Sequence, residues 1–334
     1  MPKLTEHLRH MFKPQVILPV LLAVALLAFA FSLGNVHKVI ARVGGLPWQV
    51  LAIALAAAAA YLVCKAAQLK LMLTRIDVNI PPRPFWLAFA VGELTVTLPL
   101  GMFSQNWVMS ASRRIHIGRS SAATVMMVLA EVAVVFLFLA VVGIPGWPEV
   151  RALSVLVLVA VAILLSGVLL FEHKARGLVA RLRRPWARRG AEAALEMVRG
   201  LRKLSTPPML AFSIVLAAVY LGALTIAFWC VGRGMDAHQL GYLVAATIYM
   251  FSLAVILVGA GLFSQIGTVE LLGMLAARAW GIDYTDGLAL MLGFRIVWTG
   301  AIWLLCLPIV AAMWREIPSR DRRRSANRGQ EISG

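Results

Sequence analysis

Long apolar runs, separated by short charge-bearing interruptions, dominate the chain. Residues 15–36, 48–72, 121–142, 152–171, 210–231 and 288–314 form six such runs. An α-helix rises 1.5 Å per residue, so about 20 apolar residues cross the ~30 Å hydrocarbon layer of a bilayer. These six runs predict six spanning helices. Two other apolar stretches do not fit a simple crossing. Residues 85–103 carry Glu93, Pro99 and Gly101. Residues 239–269 hold no acidic residue, Lys or Arg, yet are too long for one span and too short for two spans and a turn.

Both irregular stretches break at nearly the same words. Gly101-Met102-Phe103-Ser104-Gln105 returns as Gly261-Leu262-Phe263-Ser264-Gln265, 160 positions later. Glycine ends a helix readily, and a Ser-Gln pair can cap the next one. Gly259-Ala260-Gly261 and Gly267 put the second break in the middle of its stretch, with a half-length helix expected over 268–280. Each stretch therefore reads as a re-entrant helical hairpin that returns to its own side. Irregular backbone at membrane depth survives only when it is buried in protein or lines a wet cavity.

Charge decides between topologies. Hydrophobic residues make up 61% of the chain and charged residues 14%, which describes a polytopic helical membrane protein. The net charge of +17 reflects the positive-inside rule rather than nucleic-acid binding, because the basic residues flank the apolar runs. If every stretch crosses, residues 172–206, with ten Lys or Arg and three Glu, fall outside. With two hairpins, six crossings remain, and the inside receives 26 of the 32 Lys and Arg. Each half then reads span, span, hairpin, span. Three crossings per half make the second an inverted copy of the first. The expected fold is an all-α polytopic membrane protein with an inverted repeat. Residues 1–150 form the first repeat, 151–315 the second, and 316–334 a basic disordered tail. Both termini are expected on the cytoplasmic side of the inner membrane. Residues 172–206 read as amphipathic helix on an anionic leaflet, too short to bury a core of their own. Ala28-Phe29-Ala30 loosely resembles a signal-peptidase site, but the repeat needs the first segment, so it is expected to be retained.

The candidate chemistry lies at the breaks. A half-helix N-terminus presents free N–H groups and partial positive charge. Ser104, Gln105 and Asn106 precede one such helix, and Ser264, Gln265, Gly267 and Thr268 the other. They either cap the helix or bind a phosphate or carboxylate; both readings follow from the same geometry. Glu93, Glu131, Glu270 and Arg295 fall at membrane depth, where ionisable groups are costly and are paired or functional. Glu270 sits in the first turn of a half-helix, where the dipole favours it. Glu131 and Arg295 occupy equivalent spans and can pair. Arg295 is expected to line a central, lipid-accessible cavity near the Ser264-Gln265 break, within reach of Glu131 or Glu270. Glu93 or Glu131 can serve in an ion pair or carry a coupling proton. Arg113 and Arg114 are expected at the cytoplasmic surface, with phosphate binding as a second role. Lys65 and Lys70, near the end of the second span, are expected to snorkel to the interface. Cys64, Cys230 and Cys306 lie in apolar runs and read as small hydrophobes. No metal spacing, P-loop or Ser-His-Asp set is present, so neither cofactor nor enzymatic activity is expected.

Gly267-Thr268-Val269-Glu270, Arg295 in the last span, and Ala130-Glu131 in the first half carry a family resemblance. The chain resembles the flippase-like integral membrane family related to the transmembrane domain of lysylphosphatidylglycerol synthase. That family usually has Pro-Gly-Gly or Pro-Gly-Arg at its breaks, where this chain has Phe-Ser-Gln twice. The Arg that often follows its first-half Glu is Val132 here. The resemblance implies handling of amphipathic lipids: aminoacylated phospholipids, polyprenyl-linked sugars or hopanoids. The expected function is flipping of an anionic or phosphate-bearing lipid by alternating access between the hairpins. The alternative is a membrane subunit that scaffolds an envelope-biosynthesis enzyme, and an intramembrane enzyme ranks third for want of a catalytic set.

Overall fold

The computed structural model describes residues 36–98, 101–113, 115–180, 185–235, 240–258 and 265–313. The first expected span, most of the second break, Arg114 and the basic tail lie outside these residues. The described chain is nearly all helical, as expected: α1 (Val36–Gly44), α2 (Trp48–Arg75), α3 (Pro82–Thr95), α4 (Ser104–Arg113), α5 (Ile117–Val142), α6 (Pro148–Ala180), α7 (Pro185–Leu204), α8 (Pro207–Gly234), α9 (Tyr242–Val258), α10 (Gln265–Ala279) and α11 (Tyr284–Met313). Helices α3, α6, α7 and α8 begin on a proline, which loses nothing there because a first-turn N–H has no helical acceptor. Among the described residues, α2, α5, α6, α8 and α11 are long and apolar enough to cross a membrane. They coincide with five of the six expected spans.

End contacts fix how the long helices run. Lys203, at the end of α7, bridges Asp77, just past the end of α2. Arg119 at the start of α5 bridges Glu196 in α7, and a methyl on Gly118 would lie 2.1 Å from the Ala193 carbonyl oxygen. One end of the molecule therefore gathers the finish of α2, the starts of α5 and α8, and α7. At the other end, Gly234, closing α8, abuts Val50 at the start of α2, and Arg42 in α1 bridges Asp286 at the start of α11. Thus α2 and α8 run antiparallel, and so do α5 and α11.

The short helices repeat this pattern. Helix α3 leaves the end where α2 finishes and packs on α4, which hands over to α5 at that same end. Helix α9 leaves the opposite end and packs on α10, which hands over to α11 there. At 14 and 17 residues, α3 and α9 reach only about 21 and 26 Å. Neighbours also exchange between halves: α3 packs on α11 and α9 on α5, while α1 packs on α11 and α7 on α5. Helix α7 is the amphipathic helix expected within 172–206. It packs on α5, α6 and α2, with Leu201 and Leu204 buried against the bundle. By contrast, α6 turns Leu153, Val155, Leu156, Val159, Ile163 and Leu164 outward, as a peripheral span does.

Candidate functional site

The first break is organised by a threonine. Helix α3 ends at Thr95, whose Oγ1 contacts the Val91 carbonyl oxygen at 2.7 Å, the Gly101 carbonyl oxygen at 3.0 Å and the Ser104 hydroxyl at 2.7 Å. A hydroxyl that bonds local backbone competes with helix continuation, so the turn at 96–98 forms here. Gly101 makes the fold-back sterically possible, because a Cβ on it would sit 1.6 Å from the Thr95 carbonyl oxygen. Ser104 opens α4, as the Phe-Ser-Gln reading expects. Gln105 Nε2 and Asn106 Nδ2 both donate to Thr124 Oγ1 on α5, at 2.9 and 3.0 Å. The neutral polar residues of this break thus tie the hairpin to itself and to α5. Arg113 is the last residue of α4, with its side chain outside the described set.

The second break is built on charge. Ser264 lies outside the described residues, as does the Gln265 side chain. Ile266 has non-helical backbone and Gly267 has φ +85°, a conformation that favours glycine, so regular helix begins at Thr268. The Gly267 N–H donates to Glu270 Oε2 at 2.7 Å. A carboxylate three residues into a helix that accepts from the capping N–H satisfies an orphan donor and complements the helix dipole. Its other oxygen, Oε1, accepts from Arg295 Nε of α11 at 2.7 Å. Glu270 is 1% exposed and the Arg295 side chain 21%.

A second ion cluster, foreseen only in part, lies beside the first. Lys65 of α2 reaches Glu93 of α3 at 3.2 Å and Glu131 of α5 at 3.6 Å. It also donates to the Tyr61 hydroxyl at 2.6 Å, and Tyr220 of α8 donates to Glu131 at 2.8 Å. Lys65 therefore does not snorkel. It lies ten residues, about 15 Å, from the end of α2, and the buried Glu93 and half-buried Glu131 claim it. Of the two partners expected for Arg295, the geometry gives Glu270, while Glu131 pairs with Lys65.

Both clusters meet one cavity of about 130 Å³, lined by Lys65, Glu93, Gln105, Thr124, Glu131 and Arg295 among others. Its walls come from both breaks' neighbourhoods: Val96, Thr97 and Met102 on one side, Leu257 and Val269 on the other. Tyr61, Tyr249, Phe294 and Trp298 also line it, with Tyr220 packed behind Tyr61. Tyr61 meets Tyr220 edge-on at 5.4 Å and Trp298 at 5.3 Å, and Trp298 stacks on Phe294 at 5.6 Å. Among the described residues no His, Cys, Asp and Glu group could hold a metal ion.

The site thus combines a lysine shared by two carboxylates, a capping glutamate held by an arginine, and a break in the helices on each side. The family model of the lysylphosphatidylglycerol synthase TM region matches residues 16–306. The chain belongs to that family. No curated protein matches it. Of the residues on which the resemblance rests, Glu131, Val269 and Arg295 line the cavity, and Glu270 fixes Arg295 in place. Lys65, Tyr61, Tyr220, Thr95 and Thr124 escaped the reading of the sequence. Charge balance was the available signal for Lys65. Three carboxylates at membrane depth against one Arg demand another cation.

Proposed function

We propose that this protein moves a lipid across the inner membrane, with the headgroup passing through the cavity between the two broken helices. The observation that carries this reading is the cavity itself. It lies among spanning helices, joins residues of both halves and has five buried or half-buried ionisable groups in or beside its wall, costly placements for a purely structural membrane subunit. Membership of the lysylphosphatidylglycerol synthase TM family supports a lipid as the cargo. On this reading no covalent bond is made or broken.

The two halves act as inverted repeats, and α3–α4 and α9–α10 as re-entrant hairpins entering from opposite faces. The antiparallel pairs α2/α8 and α5/α11, and the exchange of neighbours between halves, support this arrangement. Such repeats rock about a fixed midplane site in secondary transporters. The positive-inside rule orients the α7 end, and with it both termini, toward the cytoplasm. A cysteine placed at Gly190 is then labelled only from the cytoplasmic side.

Charge sharpens the cargo. Lys65 and Arg295 face Glu93, Glu131 and Glu270, so the cluster holds one more carboxylate than cation. A headgroup bearing both a phosphate and a positive group satisfies this set better than a purely anionic one. The phosphate competes for the guanidinium, which suits planar bidentate recognition, and the cation takes up the released carboxylate. The test is reconstitution of purified protein in liposomes with fluorescent phospholipids, reading the fraction protected from an impermeant quencher. Protein-dependent loss of protection that Arg295→Ala removes supports transport. Absence of any flipping by folded protein, with a synthesis enzyme co-purifying, establishes the scaffold instead.

A further inference from the structure

One stripe of α11 runs from the charged cavity to the outside of the protein. Arg295, Thr299 and Trp303 are four residues apart, so they share a helix face and all line the cavity. Exposure increases along the stripe. The Arg295 side chain is 21% exposed, Thr299 is half-buried, and Trp303 is 50% exposed. Opposite them lie Val96 and Thr97, in the turn where α3 breaks, both half-buried and both lining the same cavity.

Depth decides what Trp303 faces. Helix α11 has 30 residues, about 45 Å, against ~30 Å of hydrocarbon. With the helix centred in the bilayer, Trp303 sits about 7 Å from the midplane, well inside the apolar layer. Tryptophan in spanning helices favours the headgroup boundary, where its N–H stays wet. A half-exposed tryptophan on a cavity rim at this depth borders acyl chains, not water. Arg295 lies about 12 Å from it along the helix axis.

We infer that the cavity opens sideways into the bilayer between the α3 break and α11, and that Trp303 is the rim over which a lipid's hydrocarbon chain leaves the protein. The occupant is the acyl chain of a membrane lipid whose headgroup sits near Arg295. The headgroup half of this statement rests on the transport reading above, whereas the portal does not. The broken α3 is what leaves room for it. The fold-back held by Thr95 puts Val96 and Thr97 of the turn in the same cavity lining as the α11 stripe, and Leu98 of that turn is exposed.

The portal is tested in a background with Cys64, Cys230 and Cys306 replaced by Ala. Thr299→Cys protein, in phosphatidylethanolamine–phosphatidylglycerol liposomes, is exposed to two probes. One is a phospholipid carrying a maleimide at the end of an acyl chain, and the other a charged, impermeant thiosulfonate added on both sides. Ser166→Cys, on the exposed face of α6, is the lipid-facing control, and Ser213→Cys, buried between α2 and α8, the closed one. The portal predicts that Thr299→Cys follows Ser166→Cys with the lipid-borne maleimide, while Ser213→Cys stays unmodified. Reaction with the thiosulfonate alone shows that the cavity opens to water and overturns the inference, as does modification by neither reagent. If Thr299→Cys misfolds, Met102→Cys on the facing wall carries the same test. Flipping is measured on the same samples. Flipping without lipid-borne labelling removes the portal and keeps the transport reading, whereas labelling without flipping does the reverse.

Discussion

The two broken helices solve one structural problem with different chemistry. Each must end a helix inside the bundle and satisfy the polar groups thereby exposed. The α3–α4 break does so with neutral groups: Thr95, Ser104, Gln105, Asn106 and Thr124 bond one another and the local backbone. Its charge, Glu93, stands inside α3 and needs Lys65 from a neighbouring span. The α9–α10 break puts its charge at the break, where Glu270 caps a glycine N–H and holds Arg295. In the second hairpin one carboxylate therefore both builds the break and positions the cavity's arginine. In the first, building and charge are divided between different residues. Function and folding should separate by mutation in the first hairpin and resist separation in the second.

The largest effect is expected from removing Lys65. Lys65→Met leaves Glu93 and Glu131, 6% and 16% exposed, without their shared cation. Stranding one buried partner of a pair costs about 3–5 kcal/mol, and here two carboxylates are stranded. The purified variant should melt well below the parent in detergent, by circular dichroism or dye-free fluorimetry. Adding Glu93→Gln and Glu131→Gln should restore much of the melting temperature. Unchanged melting in Lys65→Met would show that the pair lacks the buried character assigned to it.

Next comes Glu270. Glu270→Ala removes a cap and an arginine partner together and should destabilise by roughly 3–5 kcal/mol. Glu270→Gln keeps one acceptor, for the Gly267 N–H, but loses the charge and turns its amide NH2 toward Arg295. It should still cost less than the alanine change, on the order of a lost charged hydrogen bond, about 1.5–3 kcal/mol. If the two roles are fused as the geometry indicates, both variants lose transport, and Arg295→Ala loses stability as well as transport. An Arg295→Ala protein that melts like the parent yet fails to flip lipid would assign Arg295 to the cargo alone.

Much of this architecture was legible in the sequence, and the reasons are physical. Five spans could be placed because hydrocarbon thickness sets a length that only continuous apolar runs meet, as at Trp48–Arg75 and Tyr284–Met313. The breaks were legible because Gly101 with Ser104-Gln105, and Gly267, interrupt those runs. Glu270 as a first-turn carboxylate followed from the position of the half-helix. What escaped was pairing. A lysine ten residues before a helix end looks the same in sequence whether it snorkels or turns inward. Only the arrival of Glu93 from α3 and Glu131 from α5 decides it. Thr95 escaped for a related reason, since its role depends on Gly101 and Ser104 folding back on it.

Smaller changes sharpen the comparison. Gln105→Ala removes the 2.9 Å bond to Thr124, while Asn106 still contacts that hydroxyl. The cost should be about 0.5–1.5 kcal/mol, one neutral hydrogen bond. Because the first hairpin's neutral groups build the break without supplying charge, flipping should persist in this variant. Flipping lost with the melting temperature unchanged would instead make Gln105, which lines the cavity, a headgroup contact.

The smallest effect belongs to the surface tether of the first hairpin. Asp77 lies in the loop that delivers α3, and Lys203 of α7 donates to it at 2.6 Å; both are well exposed. The hydrogen bond from Lys203, and then its charge, hold the Asp77 carboxyl below its ordinary range. Because the folded carboxyl titrates below its unfolded value, the tether stabilises the fold above the ordinary Asp range. That contribution fades as pH falls through the lowered folded value. Exposure and salt screening keep it small, as for most surface ion pairs. Asp77→Asn should leave flipping intact at neutral pH and low salt, and should flatten the acid side of the melting-temperature profile slightly. Its effect should vanish in high salt, whereas those of Lys65→Met and Glu270→Ala should not, because buried pairs are poorly screened. An Asp77→Asn change that abolishes flipping at neutral pH would place the control of the first hairpin at its surface anchor rather than at Lys65.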